Sequence, residues 1–255
     1  HGALSVVSAI GQSCDIFFYQ VGGGYRNQFE GLGEERLGYY AELFGFGEQS
    51  GIDLPAESAG LVPTVRWKRL NYSESWVTGD TYNMSIGQGF MLATPLQVLN
   101  ALATVANGGT LYRPQLVREI IDSDGNTVRA FAPDVIRQVP VSSANLDLVR
   151  QGMRYAVAGA AGTARGIHVP GVAVAGKTGT AEFFVDRNKD GIPDRDREGN
   201  LPTHAWFTAF APYDDPEIAV VVFVYGGGEG SATAIPVAND ILNYYFSRDV
   251  GDSTP

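Results

Sequence analysis

The sequence predicts an α/β protein of the α+β type, in which helices flank an antiparallel sheet. Two patterns lead to this prediction. Apolar residues recur at helical spacing in several segments before residue 160, and strand-like segments joined by a hairpin-length turn follow them. The composition is that of an ordinary globular protein, because 44% of the 255 residues are hydrophobic and 18% are charged. No internal repeat is visible, which argues against solenoid and propeller folds.

The clearest helix signal begins at Thr94. Thr94 suits the N-cap position, Pro95 the first helical position and Gln97 the third, and together they make a capping box. Another helix is predicted to begin near residues 142–143 and to end before Gly159. Three shorter helical segments are predicted at residues 4–10, 16–21 and 36–44, and a loop at residues 45–63.

The later part of the chain is predicted to contain the sheet and a closing helix. The predicted elements are strands at residues 172–182, 205–211 and 217–225, a turn at residues 212–216 and a helix at about residues 235–246. Since no linker clearly divides the chain, residues 1–246 are expected to form one domain. Residues 247–255 are expected to be a polar tail that frays.

Charge and the rare residue types exclude several kinds of protein. The formal net charge is −10, which argues against nucleic acid or an anionic membrane surface as the main partner. Cys14 is the only cysteine, so the chain cannot contain an internal disulfide or a Cys-rich zinc site. The three histidines are too widely spaced for an HExxH-type metal centre. The sequence contains no run of about 18 apolar residues that could span a membrane.

The first motif that suggests chemistry lies in a predicted strand and consists of Lys177, Thr178, Gly179 and Thr180. An ammonium group and two hydroxyls on one strand edge could bind a carboxylate, and the edge could pair with an extended peptide. Gly179 has no side chain to block a second backbone from lying alongside. A plain edge strand explains the same residues equally well, so this motif alone does not establish a function.

A second motif, Ser13 and Asp15, lies in the loop between two apolar helical segments. A Ser hydroxyl can transfer a proton between a Lys amine and a leaving group, and Asp15 could orient that network. Ser and Asp are also common in loops and at helix N-termini. Asp15 could therefore simply be the N-cap of the helix at residues 16–21, and taken alone the motif favours that explanation.

Considered together, the two motifs make the sequence similar to the penicillin-binding proteins. Penicillin-binding proteins and serine β-lactamases carry Ser-x-x-Lys, then a Ser-x-Asn-type motif, then Lys-Thr-Gly. The second and third motifs occur here in that order, and the chain resembles the class B, elongation-type members. Asp15 fits this subgroup, whereas other members of the family carry Asn at that position. The resemblance covers about residues 1–246 and is carried by residues 13–19, 44–47, 51–57, 85–89, 94–97, 106–109, 176–182 and 204–207.

The resemblance implies a partial transpeptidase domain with the penicillin-binding, serine β-lactamase-like fold. In such a domain, a Ser attacks the D-Ala-D-Ala end of a peptidoglycan stem peptide, and the acyl group then passes to an amine of a neighbouring stem. Ser13 would transfer a proton, Asp15 would position the hydroxyl and the amine, and Lys177 would supply positive potential. The substrate-binding residues would be Thr178, Gly179 and Thr180. A backbone N–H near Thr180 would form half of the oxyanion hole.

The resemblance also implies the partners and the location of the protein. It requires no cofactor. The partners would be peptidoglycan stem peptides, β-lactams and a membrane glycosyltransferase of the elongation machinery. The protein would act outside the cytoplasm, in the periplasm or on the outer face of the cell membrane. An N-terminal transmembrane helix outside this sequence would anchor it.

The Ser-x-x-Lys motif does not occur in this sequence, because Val65, Val174 and Asp186 lie three residues before its three lysines. The resemblance places the nucleophile some tens of residues before Ser13, in an N-terminal segment of the same protein upstream of His1. The chain alone is therefore expected to be inactive, either as a piece of a catalytic protein or as a degenerate relative.

Two further functions stay open at this point. A serine β-lactamase or a D,D-carboxypeptidase would carry similar Ser-x-Asn-type and Lys-Thr-Gly motifs, and would hydrolyse the acyl-enzyme. A non-catalytic β-lactam-sensing or scaffold module would keep the cleft without the chemistry.

Residues 186–198 resemble an EF-hand-type calcium loop. The spacing Asp-x-Asn-x-Asp-Gly-x-x-Asp places Gly191 at the sixth position, where the loop turns sharply. The ligands would be Asp186, Asn188, Asp190, Ile192, Asp194 and Glu198. The pattern departs at its end, because Arg197 occupies the twelfth position and the acidic residue comes one later. The alternative is a solvated, charge-rich loop whose Asp and Gly residues only make turns.

Overall fold

The computed structural model describes residues 2–26 and 28–248. Within this part of the chain, most helices come first and a three-stranded sheet follows. The helices are α1 (Val6–Gly11), α2 (Asp15–Gly23), α3 (Gly33–Leu43), α4 (Val65–Tyr72), α5 (Thr78–Ser85), α6 (Pro95–Ala106), α7 (Ser143–Ala158) and α8 (Gly230–Arg248). The strands are β1 (Thr110–Tyr112), β2 (Glu119–Ile121), β3 (Thr127–Ala130), β4 (Val135–Gln138), β5 (Ala175–Glu182), β6 (Thr203–Ala211) and β7 (Ile218–Val224).

Helix α6 begins with the predicted capping box, and its third residue also organises the loop before it. Thr94 Oγ1 accepts a hydrogen bond from Gln97 N at 3.1 Å, and Gln97 Oε1 accepts one from Thr94 N at 2.9 Å. The Gln97 side chain is buried, and its Nε2 donates to the carbonyl oxygens of Glu48 and Ala59 at 2.8 Å each. The cap therefore satisfies the helix terminus and also holds residues 45–63, which form the predicted loop.

The other predicted helices of the first part are confirmed with small shifts at their ends. Ser142 caps α7 by accepting a hydrogen bond from Asn145 N at 3.3 Å, and Gly159 is the C-cap. The segments predicted at residues 4–10 and 16–21 correspond to α1 and α2, and the segment at residues 36–44 corresponds to α3.

Strands β5, β6 and β7 pair in that order and are all antiparallel. Lys177 lies opposite Thr208 and Gly179 lies opposite Trp206, so the Lys-Thr-Gly motif lies on an edge strand, as predicted. The sequence placed the start of the first strand three residues too early, at residue 172. The turn at residues 212–216 joins β6 to β7 as predicted.

The two faces of this sheet are covered by different helices. Residues of opposite parity on β6 point to opposite faces. Phe207 belongs to a core cluster that includes Ile235 and Leu242 of α8, whereas Phe210 belongs to a cluster with Leu102 of α6 and Met153 of α7. The sheet is therefore a central layer between helices, which is the layered architecture that the sequence predicts.

The closing helix begins earlier than predicted. The predicted start near residue 235 is wrong, because α8 starts at Gly230 and includes Pro236. The cause is packing: a Cβ on Gly230 would collide with the backbone oxygens of Gly179 and Trp206, so only glycine lets the helix lie directly against the sheet. The helix also continues to Arg248, two residues into the predicted tail. Residues 249–255 of that tail lie outside the described residues.

Helices α4 and α5 and the two small sheets were not predicted. Helix α4 has no broad apolar stripe. Its buried Lys68 instead forms ion pairs with Asp80 of α5 at 2.7 Å and with Glu74 at 3.4 Å. The β2–β3 hairpin has no buried residue on either strand, so it lacks the alternation of apolar and polar residues that predicts a half-buried strand.

Candidate functional site

Ser13 lies at the tip of a tight corner between α1 and α2. Its backbone has a φ of 51°, in the left-handed region that non-glycine residues rarely adopt. The corner is held by hydrogen bonds from Ser13 N to the Ile10 oxygen at 3.1 Å and from Cys14 N to the Ala9 oxygen at 3.0 Å. The Ser13 side chain is exposed, whereas Cys14 is buried as predicted for a small apolar side chain. The strained corner therefore presents the Ser13 hydroxyl to the solvent.

Close packing of α1 on α7 fixes where this corner lies. A Cβ on Gly152 of α7 would come within 2.7 Å of the Ile10 side chain, and one on Gly11 would collide with the Tyr155 ring. Both glycines therefore let the two helices approach closely. Thr163, in the segment after α7, donates its backbone N–H to the Gly11 oxygen at 3.2 Å. The corner is consequently tied to the same helix that packs against β5.

The two motifs meet, although 164 residues separate them in the chain. Lys177 Nζ of β5 donates a hydrogen bond to Ser13 Oγ at 2.8 Å, and a second one to the Thr178 oxygen at 2.8 Å. An ammonium group has three N–H donors, so one stays available for a ligand. The convergence of the lysine strand and the serine loop, which the sequence predicts, is present in the structure.

The pKa of Lys177 is lowered to about 8, from an ordinary value near 10.5. Burial of the half-buried amine is the main cause, because a low dielectric disfavours the charged form; the negative charge of Asp15 acts in the opposite direction. A substantial fraction of this amine is therefore neutral at mildly alkaline pH. A neutral amine beside a hydroxyl can accept and return a proton.

Asp15 is exposed and occupies the first position of α2. The N-cap of this helix is Cys14, which makes no side-chain cap hydrogen bond, so the alternative explanation of Asp15 as an N-cap is wrong. Asp15 acts on the site through its charge, which partly offsets the lowering of the Lys177 pKa by burial. The pKa of Tyr19 is raised, mainly by burial and in addition by the charge of Asp15.

The hydroxyls of the Lys-Thr-Gly-Thr strand already have partners. Thr178 Oγ1 donates to Thr163 Oγ1 at 2.8 Å, and Thr180 Oγ1 donates to Glu229 Oε2 at 3.1 Å. Gly179 lies against Trp206, because a Cβ added at Gly179 would be 3.1 Å from the Trp206 Cβ. The lack of a side chain there is therefore also needed within the sheet itself, in addition to leaving room for a second backbone.

Three residues at this site were not identified from the sequence: Thr163, Gln88 and Glu229. Gln88 Nε2 donates to the Thr180 oxygen at 3.0 Å and so links the segment after α5 to β5. Gln88 belongs to residues 85–89, one of the stretches that carry the family resemblance, and that was its only signal. Neither Thr163 nor Glu229 lies in a pattern that points to the site, since each reaches it only through the fold.

The loop at residues 186–198 uses its acidic side chains to accept hydrogen bonds from its own backbone. Asp186 Oδ2 accepts from Gly191 N at 2.8 Å, and Asp190 Oδ1 accepts from Ile192 N at 2.8 Å. Asp194 pairs with Arg187 at 3.4 Å. In the described part of the chain, no group of three or more His, Cys, Asp or Glu side chains is placed to hold a metal ion. The calcium site therefore stays a prediction from the sequence.

His204 has a structural environment, as the sequence interpretation favours. Its ring stacks on Phe183 with centroids 3.8 Å apart, and its Nδ1 accepts a hydrogen bond from Gly226 N at 3.1 Å. Burial lowers the pKa of its imidazole, which is therefore neutral near pH 7.

A half-buried amine of lowered pKa, an exposed serine hydroxyl and the edge of a strand lie together here, and these features are typical of sites of the acyl-transfer class. The arrangement holds Ser13 and Lys177 at hydrogen-bond distance, beside a strand edge that can align an extended peptide.

Comparison with known proteins identifies the family. Residues 1–243 match the penicillin binding protein transpeptidase domain, and the chain belongs to this family. It is 35% identical, over 97% of its length, to the peptidoglycan D,D-transpeptidase MrdA of Haemophilus influenzae. It is also similar to penicillin-binding protein PBP2 of Helicobacter pylori, solved in complex with MreC, with 30% identity over 98% of this chain and a TM-score of 0.75. For PBP2 of Pseudomonas aeruginosa, the identity is 35% over 95% of this chain and the TM-score is 0.73. The predicted resemblance to the class B, elongation-type members and the predicted fold are thereby confirmed.

The chain spans only part of these relatives. It covers 37% of the H. influenzae protein and 41% and 47% of the H. pylori and P. aeruginosa chains. None of the helices in the described residues has the length and apolar character needed to cross a membrane.

The lowered pKa of Lys177 can be measured directly, because the chain has only three lysines. With lysine labelled by ¹³C at the ε-carbon, one of the three NMR signals should titrate near pH 8, since burial disfavours its charge. That signal should be absent in Lys177→Met and present in Lys189→Met. Titration of all three signals above pH 10 would contradict the assignment.

Calcium binding by residues 186–198 is tested by calorimetry. If the loop binds Ca²⁺, titration should produce heat and raise the melting temperature, because binding only the folded state stabilises it. Asp190→Asn should lose both effects, whereas Asp124→Asn, in a different turn, should keep them. Absence of heat and of a melting shift in the unchanged chain would remove calcium from consideration.

Proposed function

We propose that this chain is the larger part of the domain that catalyses peptidoglycan D,D-transpeptidation in an elongation-type penicillin-binding protein. The observation that carries the proposal is the 2.8 Å hydrogen bond from Lys177 Nζ to Ser13 Oγ. This hydrogen bond supports the proposal, because a proton could pass between the amine, the hydroxyl and a reacting group. The family membership and the similarity to the H. influenzae D,D-transpeptidase support the same reaction.

The reaction has two acyl-transfer steps. A serine oxygen attacks the carbonyl of the penultimate D-Ala, the peptide C–N bond breaks, and the terminal D-Ala leaves with a proton on its amine. An amine of a second stem peptide then attacks the ester, loses a proton and releases the serine. Each step therefore needs a group that accepts a proton and another that donates one.

The residues of this chain would transfer protons and orient the donor peptide. Lys177 and Ser13 would pass the proton toward the leaving amine. The charge of Asp15 would limit how far burial lowers the pKa of Lys177. Thr180 and Thr178 would bind the terminal carboxylate of the donor peptide. The backbone N–H of Thr180 would stabilise the oxyanion together with the N–H of the nucleophile.

The nucleophile in this proposal comes from another part of the same protein. The sequence contains no Ser-x-x-Lys, and the relatives are more than twice its length. The nucleophile would lie beside Ser13 and Lys177, because proton transfer needs distances near ~3 Å between heavy atoms.

We also infer the partners and the location from the relatives. The structure of the H. pylori protein with MreC favours a partner among the proteins of the elongation machinery. Peptidoglycan stem peptides and β-lactams would be the substrates and inhibitors, and a membrane glycosyltransferase would supply the glycan strands. Peptidoglycan cross-linking takes place outside the cytoplasm, so this domain would act there, held by an N-terminal transmembrane anchor.

Two other functions are distinguished by the fate of the acyl-enzyme. Release of hydrolysed penicillin within seconds would favour a β-lactamase or a D,D-carboxypeptidase. No acylation of the natural-length protein would favour a β-lactam-sensing or scaffold module. A long-lived acyl-enzyme supports the transpeptidase.

Removal of the Lys177 amine should slow acylation. In the natural-length protein that contains this chain, Lys177→Ala should lower the second-order rate constant for acylation by benzylpenicillin by about a hundredfold or more, because a proton-transfer group is lost. Lys189→Ala, which removes an exposed lysine of the 186–198 loop, should leave the rate unchanged. An unchanged rate in Lys177→Ala would exclude this residue from the site.

The 255-residue chain by itself should not be labelled covalently by a fluorescent penicillin, because it lacks Ser-x-x-Lys and its single cysteine is buried. The measurement is in-gel fluorescence after denaturation, with the natural-length protein as the positive control. A stable fluorescent band from the chain alone would show that one of its own residues is the nucleophile.

A further inference from the structure

A carboxylate of the chain itself is hydrogen-bonded to Thr180, a residue that the proposed function assigns to binding the substrate carboxylate. Glu229 immediately precedes α8, and its Oε2 accepts a hydrogen bond from Thr180 Oγ1 at 3.1 Å. The Thr180 hydroxyl also accepts the N–H of Gly230, at 3.5 Å. The hydroxyl is therefore oriented by Gly230 toward Glu229.

A threonine hydroxyl has one proton to donate. In this structure Thr180 gives that proton to Glu229, so a ligand carboxylate that binds Thr180 must take it from Glu229. The two carboxylates would also repel each other at this short range. Glu229 and the terminal carboxylate of a ligand are consequently competitors for one donor.

The position of Glu229 suits a residue that competes and then moves away. The backbone at Gly230 is fixed, because a Cβ there would collide with the oxygens of Gly179 and Trp206. The Glu229 side chain is exposed and follows Gly226 and Gly228, which have φ values of 60° and 76°. The side chain can therefore leave Thr180 without disturbing α8.

We propose that Glu229 is a specificity-determining residue. By accepting the Thr180 hydrogen bond, it weakens the binding of ligands that carry a free terminal carboxylate. This inference rests on the proposed function, which gives Thr180 the role of binding that carboxylate. It adds that the ligand has to displace Glu229 before Thr180 can donate to it. Ligands that lack the carboxylate do not meet this competition.

The test compares two ligands that differ only in the carboxylate, benzylpenicillin and its methyl ester, on the natural-length protein. Glu229→Gln keeps the size and the acceptor of the side chain but removes the charge. It should raise the acylation rate constant for benzylpenicillin by about fivefold, because a hydrogen bond to a charged acceptor is replaced by a weaker neutral one. The rate constant for the methyl ester should stay within about twofold.

Two further variants separate a local effect from a general charge effect. Glu217→Gln removes the same charge at the turn between β6 and β7, at the opposite end of the sheet, and should change neither rate. In a Thr180→Val background, Glu229→Gln should no longer alter the ratio of the two rates, because the shared donor is gone.

The outcomes separate this inference from the proposed function. If the protein is acylated but Glu229→Gln leaves the ratio unchanged, lowers it or raises both rates equally, the competition is refuted while the transpeptidase site stands. If neither ligand acylates the unchanged protein, the proposed function fails and this inference fails with it.

Discussion

The hydrogen bond between Lys177 and Ser13 joins the helical first part of the chain to the edge of the sheet. It forms only because α1 packs closely on α7, which in turn packs on β5. The glycines at the α1–α7 contact, Gly11 and Gly152, make this approach possible. A larger side chain at either position would push the corner that carries Ser13 away from the lysine. The chemistry of the site therefore depends on the packing of two helices.

Burial gives the same contact its chemical character. An exposed lysine amine, with a pKa near 10.5, would stay protonated at mildly alkaline pH and could not accept a proton. Burial lowers the pKa of Lys177 to about 8, and the charge of Asp15 limits the decrease. The exposed hydroxyl of Ser13, held by a strained backbone, remains accessible to a reacting group. In the proposed mechanism, the proton acceptor, Lys177, would be half-buried and the proton relay, Ser13, would lie at the surface.

Much of the fold could be predicted because its signals are local. The capping box at residues 94–97, the Ser142 cap and the strands around Lys177 all depend on neighbours in the sequence. Helix α4 could not be predicted in this way. Its one buried residue is Lys68, which is held by an ion pair with Asp80 rather than by an apolar stripe. The early start of α8 was missed for a related reason, since a run of glycines indicates a loop unless a strand lies directly against it.

The sequence by itself determined the family, the two motifs and the residue types available for catalysis, because each is a pattern within a few residues. Tertiary structure decided which partners those residues meet. It brought Ser13 to Lys177, turned the Thr180 hydroxyl toward Glu229 and placed Gln88 on the Thr180 carbonyl. These contacts join residues 49 to 164 positions apart, and no local pattern specifies them. They follow from how helices pack on a sheet edge, and that packing is set by the whole chain.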